Sequence, residues 1–249
     1  MIDMHVHTLF SPDSGEPMRG MCERALALGL GGLCFTEHMD FEESVRDYYN
    51  PEAFFAELGR LREFYAGRLE LLAGLEFPEP HRHPRELEQA CRRPYDFILG
   101  SVHDWMDGLY PSQMAEREIS LSQCFARYWD EILAMVRHGG FDCVAHLDFP
   151  KRYFYCLEYE PQQLDEIFAV MQKNGLVLEI NTSSLRMGCE EPMPGAALLR
   201  QYIAHGGRQV TLGSDAHRAE DLYAGVEEAE KLARGLELEA VVYRKRISS

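Results

Sequence analysis

The chain has 249 residues and carries 25 Lys and Arg against 41 Asp and Glu, a formal charge of −16 with neutral histidine. A composition that is 46% hydrophobic and 27% charged excludes the disordered and fibrous classes and supplies enough apolar material for a full core. A surface this acidic repels nucleic-acid phosphates and the anionic face of a membrane, so polymeric nucleic acid and lipid are not expected partners.

In chain order, short apolar runs rich in β-branched residues alternate with longer segments of helical period. A first strand is predicted over 1–7 and a second over 31–37. A helix over 51–66 follows, with Asn50 able to cap it and Pro51 at the first helical position, where the missing N–H is surplus. Strands over 69–76 and 95–103 come next. A helix over 121–137 then places Leu121, Phe125, Tyr128, Trp129, Ile132 and Val136 at three- and four-residue intervals, with Gly139-Gly140 as its stop. Strand 141–147, helix 161–173, strand 176–182, helix 195–204, strand 208–215 and helix 220–234 complete the series, and Glu239-Ala240-Val241-Val242-Tyr243 is the candidate eighth strand. This alternation, with no repeat, low-complexity tract or linker, predicts a single α/β domain over 1–249. The expected architecture is a (β/α) barrel with seven strands, and an open doubly wound sheet is the alternative.

The strand ends carry the chemistry. They read Asp3-Met4-His5-Val6-His7, Thr36-Glu37-His38, Gly74-Leu75-Glu76, Gly100-Ser101-Val102-His103, Ala145-His146-Leu147-Asp148, Glu179-Ile180-Asn181 and Gly213-Ser214-Asp215-Ala216-His217. In parallel α/β folds, ligands and reactive groups gather at the carboxyl ends of strands, so these residues are expected at one mouth. His5 and His7 lie two apart on an extended strand and project to one side, as do Asp215 and His217. Imidazole and carboxylate donors without thiolate suit zinc, manganese or iron in hydrolytic sites, and Glu76 could bridge two ions through its two oxygens.

Six of the ten histidines fall at these ends. Such a cluster without a cation would bury polar groups to no gain. The other four read as structural or surface residues: His81 and His83 lie among Pro78, Pro80 and Pro84, while His138 and His205 precede Gly139 and Gly206 at helix C-termini. The seven cysteines form no Cys-x-x-Cys pair, and their odd number cannot all pair within the chain, which predicts reduced thiols in a cytoplasmic protein. No secretory leader or membrane span is expected.

Through Asp3-x-His5-x-His7-Thr8, Thr36-Glu37-His38, Glu76, Gly100-Ser101-Val102-His103, Ala145-His146 and Gly213-Ser214-Asp215-Ala216-His217, the sequence resembles the PHP (polymerase and histidinol phosphatase) superfamily of metal-dependent phosphoesterases. Within it, His146-Leu147-Asp148 with Lys151-Arg152-Tyr153, and Glu179-Ile180-Asn181-Thr182-Ser183 with Arg186, are similar to stretches of the stand-alone histidinol-phosphatases. The resemblance implies a distorted (β/α)7 barrel and two or three divalent transition-metal ions (Zn, Mn or Fe). By its pattern His5, His7, Glu76 and Asp215 hold one ion, Glu76, His103 and His146 a second, and Asp13, His38 and His217 a third. Asp13 sits in Ser11-Pro12-Asp13-Ser14-Gly15, which by itself reads only as a turn. Asp3 is expected to orient a ligand histidine.

The reaction so implied is hydrolysis of a small phosphate monoester, foremost L-histidinol phosphate, by a metal-bound hydroxide bridged near Glu76 and Asp215. Arg152, then Arg186, then Lys151 are the expected phosphate-binding cations. Asp104, Asp148 or a metal-bound water is expected to protonate the leaving group, and Asp104, Asp148 or Glu190-Glu191 to meet a cationic substrate, with Ser184 and the Cys189-Glu190-Glu191 loop expected near the substrate side. Three dications against three ligand carboxylates leave the mouth net positive, so an anionic substrate meets a cationic pocket inside an acidic protein. The alternatives are a phosphoesterase for nucleoside monophosphates, short oligonucleotides or another sugar phosphate, and an inactive metal-binding module in a complex.

Overall fold

The computed structural model describes residues 1–106 and 119–248. Its main sheet contains β1 (Ile2–Val6), β2 (Gly32–His38), β3 (Glu70–Pro78), β4 (Phe97–Ser101), β5 (Cys143–Val144), β6 (Val177–Asn181), β7 (Gln209–Gly213) and β8 (Glu239–Ala240), neighbours in chain order and all parallel. A doubly wound sheet reverses its order at a switch point, and this one does not, which overturns the open-sheet alternative.

The sheet closes on itself beyond β7. The Asp215 N–H donates to the His5 carbonyl at 2.8 Å, the His7 N–H donates to the Ala216 carbonyl at 2.9 Å, and Val6 bridges Ala216 in parallel. At the opposite end β8 pairs with Gln209 and Val210 of β7. The result is the distorted seven-stranded barrel, closed at its carboxyl mouth and extended by a short eighth strand at its base. Of the five residues read as that strand Glu239 and Ala240 form β8, with the Val241 N–H still donating to the Val210 carbonyl at 2.9 Å; Tyr243–Arg244 (β9) pair instead with Ile247–Ser248 (β10) in an antiparallel hairpin.

Helices α1 (Met18–Ala27), α2 (Pro51–Phe64), α3 (Pro84–Cys91), α4 (Leu121–His138), α5 (Lys151–Phe154), α6 (Pro161–Asn174), α7 (Ser183–Arg186), α8 (Ala196–Ala204) and α9 (Val226–Gly235) complete the chain. Asn50 Oδ1 caps α2 by accepting the Ala53 N–H at 3.0 Å, and Ser120 with Gln123 forms a reciprocal capping box on α4. The helix expected from 220 starts only at Val226, because Tyr223 and Gly225 adopt positive φ and the Tyr223 N–H is held by Asp3. No helix among the described residues is long and apolar enough to cross a membrane.

Strand parity positions the site. Facing inward near the base, Cys34, Leu72, Phe97, Leu99, Cys143, Ala145 and Val177 form an apolar plug with Val241 and Tyr243. Residues farther along with the same parity, His38, Glu76, Glu179 and Asn181, therefore face the same interior at the mouth. Strand β1 reaches it differently: its register against β2 shifts between Asp3 and Val6, so Met4 joins the plug while the adjacent His5 also faces the interior.

Candidate metal centre

The structure brings the nine side chains of the implied ligand set to the mouth. His5 Nε2 lies 2.9 Å from His7 Nε2, 3.1 Å from Glu76 Oε2 and 3.6 Å from Asp215 Oδ1, and His7 Nε2 lies 3.4 Å from each of the same two oxygens. Four donors about 2.0–2.1 Å from a tetrahedral ion stand about 3.4 Å apart, so the spacing fits a divalent cation. The other Glu76 oxygen, Oε1, lies 3.1 Å from His103 Nε2 and 2.9 Å from His146 Nε2. Asp13 Oδ2 lies 3.0 Å from His217 Nε2 and 3.6 Å from His38 Nε2. The described residues include three overlapping groups whose donor atoms lie within 4.8 Å of one another: His5, His7 and Asp215; His7, His38 and His217; and His38, Glu76 and His103.

Nitrogen facing nitrogen at 2.9 Å makes sense when both lone pairs address one cation. The groups behind the rings set this arrangement. His5 Nδ1 is 2.6 Å from Glu179 Oε1, which makes Nδ1 a protonated nitrogen and turns Nε2 toward the cluster, where it would ligate once an ion displaces any proton there. Gly213 leaves room for this contact, since a Cβ there would stand 2.5 Å from Glu179 Oε1 and 2.4 Å from His5 Cβ. Glu79, itself at positive φ, accepts the N–H groups of His103 at 2.6 Å and Asp104 at 2.8 Å and so sets the loop after β4. His146 and Asp215 also have positive φ, which explains why β5 stops at Val144 instead of running to 147. Strained backbone of this kind persists where surrounding contacts over-determine it.

The electrostatics favour charged oxygen donors. Burial raises the Glu76 and Asp215 carboxyls, but the surrounding histidines outweigh it and hold both well below the usual carboxylate range. Asp13 is likewise held low against burial by His217 and His38. Burial, with the charges of His217 and His38, pushes His7 down to about 4 and keeps it neutral at pH 7.

A cavity of about 480 Å³ opens over these groups, walled by Asp40, Glu42, Asp104, Trp105, Phe149, Arg152 and Tyr153 among others. Arg152 stacks over Phe149 at 4.3 Å, with Nη1 4.0 Å from Asp215 Oδ2. The other two expected phosphate cations do not line it. Arg186 donates to the carbonyls of Ser214 at 2.8 Å and Asp215 at 3.0 Å, bracing the main chain of a ligand residue. Lys151 is held by Asp148 and the Pro192 carbonyl, both at 2.7 Å.

Other expectations also change. Asp3 touches no ligand ring: it accepts the N–H groups of His5, Ser214 and Tyr223, fastening β1 to the chain after β7, and Glu179 orients the His5 ring instead. Asp148 is buried against Lys151 away from the cavity wall, Ser184 bonds the Glu191 carbonyl, and Glu190 and Glu191 are exposed outside the wall. The four histidines set apart stay apart: His81 pairs with Glu131, His83 stacks on Phe41, His138 bonds Gly139, and His205 pairs with Asp165. Missed from the sequence were the roles of Glu79 and Glu179, that of Glu37, which accepts the Thr8 N–H and the Thr8 and Ser11 hydroxyls, and the wall residues Asp40, Glu42, Trp105 and Phe149; strand parity alone marks Glu179 as inward-facing.

Comparison with known proteins agrees with this architecture. Residues 3–183 match the PHP domain family. The chain is 31% identical to a protein of Deinococcus radiodurans named "Probable histidinol-phosphatase", covering 99% of this chain and 97% of that one. It is 29% identical to the Clostridium acetobutylicum protein of the same name, covering 99% and 98%. The crystal structure of histidinol phosphate phosphatase from Lactococcus lactis, complexed with zinc, L-histidinol and phosphate, superposes with a TM-score of 0.85 at 26% identity, covering all of this chain and 98% of that one. With the matched residues spanning β1 to β6 and whole-length relatives sharing the fold, the chain belongs to the PHP domain family.

Proposed function

We propose that the chain is a phosphoric monoester hydrolase that converts L-histidinol phosphate to L-histidinol and phosphate, working as one domain in the cytoplasm. The carrying observation is the mixed charge of the cavity lining. It combines the His/Asp/Glu cluster, with Arg152 beside it for a phosphate, and the carboxylates of Asp40 and Glu42 for the cationic end of an amino-alcohol. Small relatives named for this activity and a structural neighbour holding zinc, histidinol and phosphate support the reading, and the free cysteines suit a reducing compartment.

His5, His7, Glu76 and Asp215 are assigned to one ion, Glu76, His103 and His146 to a second, and Asp13, His38 and His217 to a third, with zinc, manganese or iron as the metal. Bound there, divalent ions supply Lewis acidity toward phosphoryl oxygens and an acidified water as nucleophile. The protein's own groups do the rest. Glu76 divides its oxygens between two donor sets and so fixes their separation. Arg152, its guanidinium carbon 4.3 Å from the centre of the Phe149 ring, is assigned to fork toward the phosphate. Asp104 lines the cavity where Asp148 does not, and is assigned to protonate the departing alkoxide.

Phosphate release from histidinol phosphate, AMP and a short oligonucleotide tests the reading, together with elemental analysis of the purified protein. Preference for histidinol phosphate with two or three ions per chain is expected. Preference for the nucleotides transfers the assignment to the alternative substrate class.

A further inference from the structure

Ser11 lies in the turn after β1 that also carries Asp13, and it is fully buried with Glu37, Thr8 and His7. Its hydroxyl has one proton to donate and two lone pairs to accept with. Glu37 Oε2 already accepts the Thr8 N–H at 3.0 Å, while Glu37 Oε1 lies 2.6 Å from Thr8 Oγ1, so the hydroxyl 2.6 Å from Oε2 must be the donor. Its lone pairs then face the His38 N–H and His7 Nδ1, both at 3.0 Å. Every position is filled, and with Glu37 as a carboxylate one proton arrangement satisfies all of them: His7 carries its proton on Nδ1 and its lone pair on Nε2, which points at the donors of His5, Glu76 and Asp215.

We infer that Ser11, held by Glu37, is a positioning residue for the metal centre: it fixes the His7 tautomer and the His38 main chain through one hydroxyl. The inference rests on the metal-binding reading above. It joins ligands assigned to two different ions, since His7 belongs to the first set and His38 to the third, and the turn it anchors delivers Asp13 to that third set as well. Ser11, Thr8, Glu37 and His7 are all fully buried, so removing the hydroxyl strands an imidazole N–H and a main-chain N–H and leaves Glu37 Oε2 with the Thr8 N–H alone.

The test uses the full chain, with zinc affinity measured by competition against a chromophoric chelator and the His7 tautomer read by long-range ¹H–¹⁵N NMR on the zinc-loaded protein. Ser11→Ala is expected to weaken zinc binding by about 10- to 100-fold, the range found when groups behind metal ligands are removed. Ser11→Thr, which keeps the hydroxyl, is expected to recover most of it. Ser11→Ala with wild-type affinity overturns the inference. So does a wild-type His7 protonated on Nε2, a result that needs no variant to fold. A wild-type chain that takes up no divalent ion overturns the metal reading instead, and the tautomer of its His7 still decides the role of Ser11.

Discussion

Glu179 Oε1 lies 2.6 Å from His5 Nδ1, and the other oxygen of the same carboxylate accepts the His146 main-chain N–H at 2.8 Å. One buried side chain on β6 thus governs a ring from β1 and the positive-φ residue after β5. Glu179→Gln keeps the shape but has a single acceptor oxygen, so its NH₂ must face either the His5 ring N–H or the His146 and Asn181 N–H groups. Metal affinity is expected to fall by about 10- to 100-fold with an unchanged far-ultraviolet circular dichroism spectrum. Chelator competition checks it, and wild-type affinity would refute the role.

Such partners show why part of the site was legible and part was not. His5, His7, His38, Glu76, His103, His146, Asp215 and His217 stand at or just after strand ends, where parity and the barrel rule suffice to bring them together. Asp13 lies in a turn with no period, and only the family resemblance pointed to it. Lys151 and Arg186 sit on four-residue helices that periodicity cannot resolve, and their partners, Asp148 and the Ser214 carbonyl, are brought to them only by the folded chain. Asp3 misled because the register shift in β1 turns its carboxylate toward main-chain amides.

Arg152 is the only Lys or Arg among the residues described as lining the cavity. Its removal should act on the phosphoryl group more than on the fold. Arg152→Ala is expected to lower kcat/KM for histidinol phosphate by about 10²- to 10³-fold, as for loss of one transition-state donor. Arg152→Lys should recover only part, because an ammonium has no planar fork to offer the phosphate. Steady-state kinetics decide it, and full activity in Arg152→Ala would exclude the assignment.

Away from the metal centre, Glu131 on α4 holds the loop after β3 through His81 at 2.8 Å and Arg82 Nε at 2.9 Å. Burial raises its carboxyl, but His81 and Arg82 outweigh that and bring it from 4.5 down to about 2. A carboxylate depressed on folding stabilises the protein above its unfolded value, and the contribution fades as pH falls from about 4.5 toward 2. Glu131→Gln is therefore expected to cost about 1 kcal/mol at pH 7 and to shrink toward no effect near pH 2. Thermal melts across that range test it; a difference that grows on acidification would reverse the sign.

Metal removal should have a pH signature of its own. Without ions, burial lowers His103 and His217, but Glu76 and Asp13 respectively outweigh it and push each up to about 9. Both rings are then protonated at pH 7 and must release their protons before they can ligate. Zinc added to stripped protein is expected to release more than one proton per chain at pH 7, read by calorimetry in buffers of different ionisation enthalpy. The stability these protonated rings lend the stripped protein is complete below their ordinary value of 6.5 and is lost as pH rises through about 9. Zinc-loaded protein has exchanged those protons for ions and escapes the loss. The gap in Tm between loaded and stripped protein should therefore widen from pH 6.5 to 9, and a constant gap with no proton release would show that these histidines are not metal ligands.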